Sequence, residues 1–251
     1  MDAGLIWLHT ALLASVRLTI GLAMTPLFSA FGVPALVRVI MVMAFAGLAA
    51  YLAPGVGAGK VLAVQQVGAG FMAEAAIGLL IGMGVHAAFA AFAIAGRTMD
   101  MQMGFSLGAA LDPVSKGHSA VMASGLNMLA VLLFFVSDAH HLLYSGIFRT
   151  FDLLPIGQAV PVQGWLPAAE GAGLMFAYGF VMAAPVVVAL LLADVVVAVV
   201  SRNLPQMNVL FLSIPIKLLL GLAVMSVAVR LLGPIAQKVL ALPLVLIDKV
   251  Q

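Results

Sequence analysis

Long apolar blocks, each closed by proline, glycine or a short polar run, divide this chain into six candidate helices. The first covers residues 5–31, ends at Pro26, Gly32 and Pro34, and carries Arg17 in its middle. The second, residues 35–53, stops at Pro54 and the turn GVGAGK. It is just long enough to cross a bilayer, for which about 20 residues are needed. The third, residues 64–95, exceeds one crossing and holds Glu74 in the run EAAIGLLIG. There Gly78 and Gly82 form a small-xxx-small face, which lets another helix backbone come close.

Residues 96–119, GRTMDMQMGFSLGAALDPVSKGHS, interrupt two very apolar blocks while being only half polar themselves. Arg97, Asp100, Asp112 and Lys116 bracket an uncharged middle, residues 101–111, rich in Gly, Ala and Met with one Phe. A connecting loop on a membrane protein is usually short and hydrophilic. This one is built to lie against apolar groups without being a span.

Residues 120–136 then read as a short apolar helix, followed by DAHHLLYSGIFRTFDLLPIG. Leu143, Ile147, Phe151 and Leu154, at spacings of four, four and three, make one apolar stripe. The stripe predicts an amphipathic helix lying at an interface or on a partner. After a turn rich in proline and glycine comes a helical hairpin: residues 168–200 with Pro185 and Asp194, the elbow SRNLPQMN, and residues 209–232 with Pro215 and Lys217. Backbone groups freed by prolines in lipid need other partners, so Pro185 and Pro215 predict kinked helices packed on protein.

Composition fixes the class. Of 251 residues 65% are hydrophobic and only 8% charged, with a mean hydropathy of +1.23, against about 25% charged in a soluble chain. The expected fold is therefore all-α, a polytopic membrane protein of long, partly broken helical hairpins. The bases exceed the acids only by 11 to 9, too few and too dispersed to suggest nucleic acid. The absence of cysteine removes disulfides and thiolate sites. The N-terminus, MDAGLIWLHTALLASVR, has an acidic n-region, and no removable signal peptide is expected. If the blocks simply alternate, Lys60, Arg149, Arg230, Lys238 and Lys249 fall on one side, and Arg38, Arg97, Lys116 and Arg202 on the other. That balance assigns no orientation and argues against simple alternate spanning.

A charge at the bilayer centre costs about 2.5–3.5 kcal/mol, so Arg17, Glu74, Asp194 and Lys217 are expected to face protein or water. They could form a proton or ion relay through Glu74 and Asp194, or pair between helices and subunits to fix register. Asp138, His140 and His141 form a polar cluster at a helix end. Neighbouring histidines are expected to point to different sides of a helix, so no metal is assigned. Walker loops and HExxH are absent, no catalytic residue emerges and no cofactor is implied.

Four stretches together resemble the FliR family of flagellar and virulence type III export-gate proteins: SVRLTIGLAMTPLFSAFGVPALVRV, GRTMDMQMGFSLGAALDP, FFVSDAHHLLYSGIFRTFDLLPIG and SRNLPQMNVLFLSIPIKLLLG. The resemblance covers nearly the whole chain in order, and the DAHH and LLPIG elements lean towards the flagellar branch. It implies one integral membrane subunit over residues 1–251, similar to FliP in residues 1–165 and to a FliQ hairpin in residues 166–251. FliP and FliQ would be its partners in the gate, with FlhB and FlhA nearby. Unfolded flagellar proteins would be the substrates, and the inner membrane at the flagellar basal body the location. The subunit itself would not be an enzyme.

By the same resemblance, Gln102, Met103, Gly104, Phe105, Ser106, Leu107 and Gly108 match the plug loop that helps close the channel, and Asp112 and Pro113 end it. Arg202, Pro205 and Gln206 match the family's RxxPQ elbow, which would line the cytoplasmic mouth or bind FlhA or FlhB. A passive connector and a plain hairpin turn are the respective alternatives. At the level of the whole chain they are a secondary transporter, a purely structural nucleation subunit, and a virulence homologue.

Overall fold

The computed structural model describes residues 3–23, 25–26, 28, 32–52, 64–105, 120–158, 165–203 and 209–241. Every regular element among them is helical: α1 (Ala3–Leu18) continued by a π-turn (Thr19–Ala23), α2 (Ala35–Leu52), α3 (Val64–Met103), α4 (Val121–Val136), α5 (Ala139–Leu153), α6 (Leu166–Asn203) and α7 (Val209–Leu240).

Two helices run well past the ends expected of them. The third apolar block does not stop at residue 95, because Phe92, Ala95, Met99 and Met103 continue a buried stripe at helical spacing and carry α3 to Met103. Likewise α7 passes residue 232 and Pro234, with Ala228, Leu232, Ala236 and Val239 buried along one face. The six blocks also reduce. Among the described residues four helices are long and apolar enough to cross a membrane, Ala35–Leu52, Val67–Met103, Ala169–Asn203 and Ser213–Arg230. A fifth arises if Val121–Val136 and Ala139–Leu153, bent by 72° at their junction, count as one broken span. Ile6–Leu22 is apolar but shorter.

The chain forms two compact units. The first comprises residues 1–88, 134–174 and 240–251. Trp7 of α1 lies over Gly47 of α2, where an added β-carbon would stand 3.4 Å from its ring. α2 buries only Val42, Ala46, Ala49 and Ala50, while Leu36, Ile40 and Tyr51 on its other faces stay exposed. The small-residue face of α3 does receive another backbone: β-carbons at Gly78 and Gly82 would lie 2.7 Å from the Arg17 carbonyl oxygen and 3.0 Å from that of Ile20. The stripe of α5 departs from expectation. Leu143, Ile147 and Phe151 are buried inside this same unit, so the chain itself supplies the surface they cover.

The second unit comprises residues 89–133 and 175–239. Its core is built from Phe92, Met99, Leu126, Met182, Val186 and Leu190. Gly179 of α6 sits against α3, where its missing side chain leaves room for Ile94 and the Ala91 carbonyl oxygen about 3 Å away. Pro185, Pro215 and Pro234 all lie inside continuous helices. Pro185 is half-buried, whereas Pro215 is exposed on this chain. The most apolar window of α6 is only 17% buried and that of α7 only 11%, against 67% for α3. Helices apolar on all sides and so little covered need lipid or other protein around them.

Candidate functional site

The stretch after α3 is flanked by two defined helix ends. At its start Gly104 adopts φ +87°, a left-handed conformation suited to glycine, and its amide donates to the Met101 carbonyl at 3.3 Å, ending the helix. Met103, 1% exposed, fills the space left by Gly221 of α7, where a β-carbon would lie 2.5 Å from the Met103 methyl carbon. Gln102 and Phe105 are half-buried. Of the residues matched to the plug, Gln102 and Met103 thus belong to the last turn of α3 and Gly104 to its cap. Ser106, Leu107, Gly108, Asp112 and Pro113 lie outside the described residues.

At the far end, α4 begins on α3 itself. The first amides of a helix have no partner within it. Here Asp100 Oδ1 accepts from Met122 N at 2.9 Å, and Asp100 Oδ2 from Ala123 N at 3.0 Å. The side chain is buried at the amide end of α4, where it caps the helix. One turn earlier Gly96 makes the approach possible, since a β-carbon there would stand 2.2 Å from Ala123 Cα. Gly96 and Asp100 therefore form a stem that joins α3 to the start of α4. Asp100 was legible only as a bracketing charge; its place four residues after Gly96, on the stripe of Phe92 and Met99, was the available signal.

In the first unit, Arg17 and Glu74 form a two-pronged ion pair with neither side chain exposed. Arg17 Nε donates to Glu74 Oε2 at 2.8 Å and Nη2 to Oε1 at 3.1 Å. Arg17 also donates to Thr150 Oγ1 at 3.1 Å and to the Leu154 carbonyl at 3.0 Å, and its guanidinium lies 4.2 Å from the Phe151 ring centre. Glu74 Oε1 accepts in addition from Gly157 N at 2.8 Å. The pair thus ties α1, α3, α5 and the turn after α5 together, with its partners within one chain. Nothing in the sequence linked Thr150 or Gly157 to these charges.

In the second unit, Lys217 Nζ lies 2.5 Å from Asp194 Oδ1, joining α6 to α7, with side chains 20% and 39% exposed. Arg202, in the last turn of α6, is exposed. Pro205 and Gln206 of the elbow lie outside the described residues.

The family model for bacterial export proteins, family 1, matches residues 8–242. The flagellar biosynthetic protein FliR of Bacillus subtilis (strain 168) is 32% identical over 173 residues, covering 67% of this chain and 67% of that relative. FliR of Escherichia coli (strain K12) is 31% identical over 177 residues, 70% of this chain and 65% of the relative. The surface presentation of antigens protein SpaR of Shigella flexneri is 26% identical over 156 residues, 61% of this chain and 60% of SpaR. The chain thus matches about two thirds of the length of these flagellar relatives.

Proposed function

The chain belongs to the bacterial export proteins, family 1, and on that premise we propose that it is a membrane-embedded subunit of the flagellar protein export gate. It works among other export proteins, FliP and FliQ first and FlhB and FlhA beside them, in the inner membrane at the flagellar basal body. Its first 165 residues take the place of a FliP-like subunit and the hairpin from residue 166 that of a FliQ-like one. Through the assembled gate unfolded flagellar subunits pass, and the chain acts as a non-catalytic wall of the channel.

The observation that carries this reading is the stem formed by Gly96 and Asp100 against the start of α4. The segment between these helices opens with an uncharged run of glycine, alanine, leucine and phenylalanine over residues 104–111, and such a run suits a water-excluding constriction. The sparse burial of α6 and α7 supports assembly with further subunits. The closest rival, a secondary transporter, would place intramembrane charges at an open substrate site. Glu74 instead has both carboxylate oxygens taken up by Arg17 and the Gly157 amide.

The test is co-expression of the tagged chain with its neighbouring genes, purification in mild detergent and native mass spectrometry. One copy bound to several FliP-like and FliQ-like subunits is expected. A monomer or homodimer that binds neither would overturn the proposal.

A further inference from the structure

We propose that Asp138, His140 and His141, at the junction of α4 and α5, form a binding site for a borderline divalent transition metal, Zn²⁺ in the first place. One ligand atom from each of the three residues lies within 4.8 Å of the others. The sequence expectation that the two histidines diverge does not hold. Their ring centres are 4.1 Å apart at an interplanar angle of 38°, in the first turn of a helix whose N-cap residue is left-handed.

Two further observations point to a ligand. His140 Nδ1 is buried and has no hydrogen-bond partner, a state that buried polar atoms ordinarily avoid. Asp138 stands at the N-cap of α5 with φ 54°, yet its carboxylate makes no capping hydrogen bond. The usual use of an aspartate at that position is therefore not made, and the anion is free to turn towards the rings. Tetrahedral coordination, with about 2.1 Å to each donor, sets donors roughly 3.4 Å apart. Binding therefore requires the donors to draw together from the separation seen here. Two imidazoles and one carboxylate suit Zn²⁺ or Co²⁺ and leave a fourth position for water or a partner's side chain, whereas Mg²⁺ and Ca²⁺ prefer oxygen donors.

The experiment uses the full chain, purified in detergent through a tag without histidines and stripped with chelator. It is titrated with Co²⁺ while the visible absorption of the ion is followed, then with Zn²⁺ in competition. One Co²⁺ per chain with a tetrahedral spectrum, displaced by Zn²⁺ and unaffected by millimolar Mg²⁺, is expected. Asp138→Asn keeps a residue tolerant of the left-handed backbone, and His141→Ala changes an exposed side chain. Each should weaken binding by tenfold or more while leaving the helical circular dichroism unchanged. Absence of stoichiometric binding, displacement by Mg²⁺, or equal binding by both variants would each overturn the site.

Discussion

Glu74 holds Arg17 by two hydrogen bonds at 2.8 and 3.1 Å in a place where neither side chain reaches solvent. Removing one partner of such a pair costs far more than the pair contributes, because the remaining charge stays buried and unmatched. Glu74→Gln is expected to destabilise the chain by about 3–5 kcal/mol, read as a loss of folded, assembled complex in detergent. Arg17→Met combined with Glu74→Leu should recover much of that loss. A Glu74→Gln gate that assembles in full yet exports nothing would instead establish a proton relay.

Gly78 lets α1 approach α3 so closely that a β-carbon would lie 2.7 Å from the Arg17 carbonyl oxygen. Gly78→Ala must displace backbone, and overpacking of this kind costs about 1–3 kcal/mol. Gly68 lies in the same helix with nothing within 4 Å of its added β-carbon. Gly68→Ala is expected to be neutral or slightly stabilising. Thermal unfolding of the two variants in the same detergent measures the contrast, and equal behaviour would show that α1 is not held where the structure puts it.

Asp100→Ala leaves the Met122 and Ala123 amides without their acceptor and should cost about 0.5–2 kcal/mol, the range for a lost helix cap. Asp100→Asn, which retains one acceptor, should cost less. Within an assembled gate both are expected to raise resting ion leak, as should deletion of residues 104–109, because each loosens the constriction or its stem. Conductance in proteoliposomes measures this, and a tight seal in all three variants would remove the plug role.

The helices were legible from hydropathy because lipid demands uninterrupted apolar runs, and the glycines at 78 and 82 announced a close approach that the structure contains. The continuation of α3 was obscured by Arg97 and Asp100, two charges that mark a loop in a membrane sequence unless one of them has a private partner. Asp100 has one, but 22 and 23 residues further on. The same distance problem hid the Arg17 cluster: its partners lie 57, 133 and 137 residues away. Local periodicity carries no information about such pairings.

Arg202 is exposed at the end of α6, where a cation also complements the helix dipole. Arg202→Ala should leave unfolding within about 0.5 kcal/mol of the parent, as for other surface changes, while lowering export of flagellar subunits. Export and gate yield measured side by side decide the matter; a parallel fall in both would mark Arg202 as a packing residue.

The stem made by Gly96 and Asp100 also bears on how the sequence above it can diverge. Once the two ends of a segment are locked together, lengthening it costs little, about 0.6 kcal/mol for each doubling. A change of length between Asp100 and the start of α4 is therefore expected to cost the fold little. The contact of α3 with α4 is expected to survive such changes, provided the glycine and the carboxylate stay four residues apart on α3.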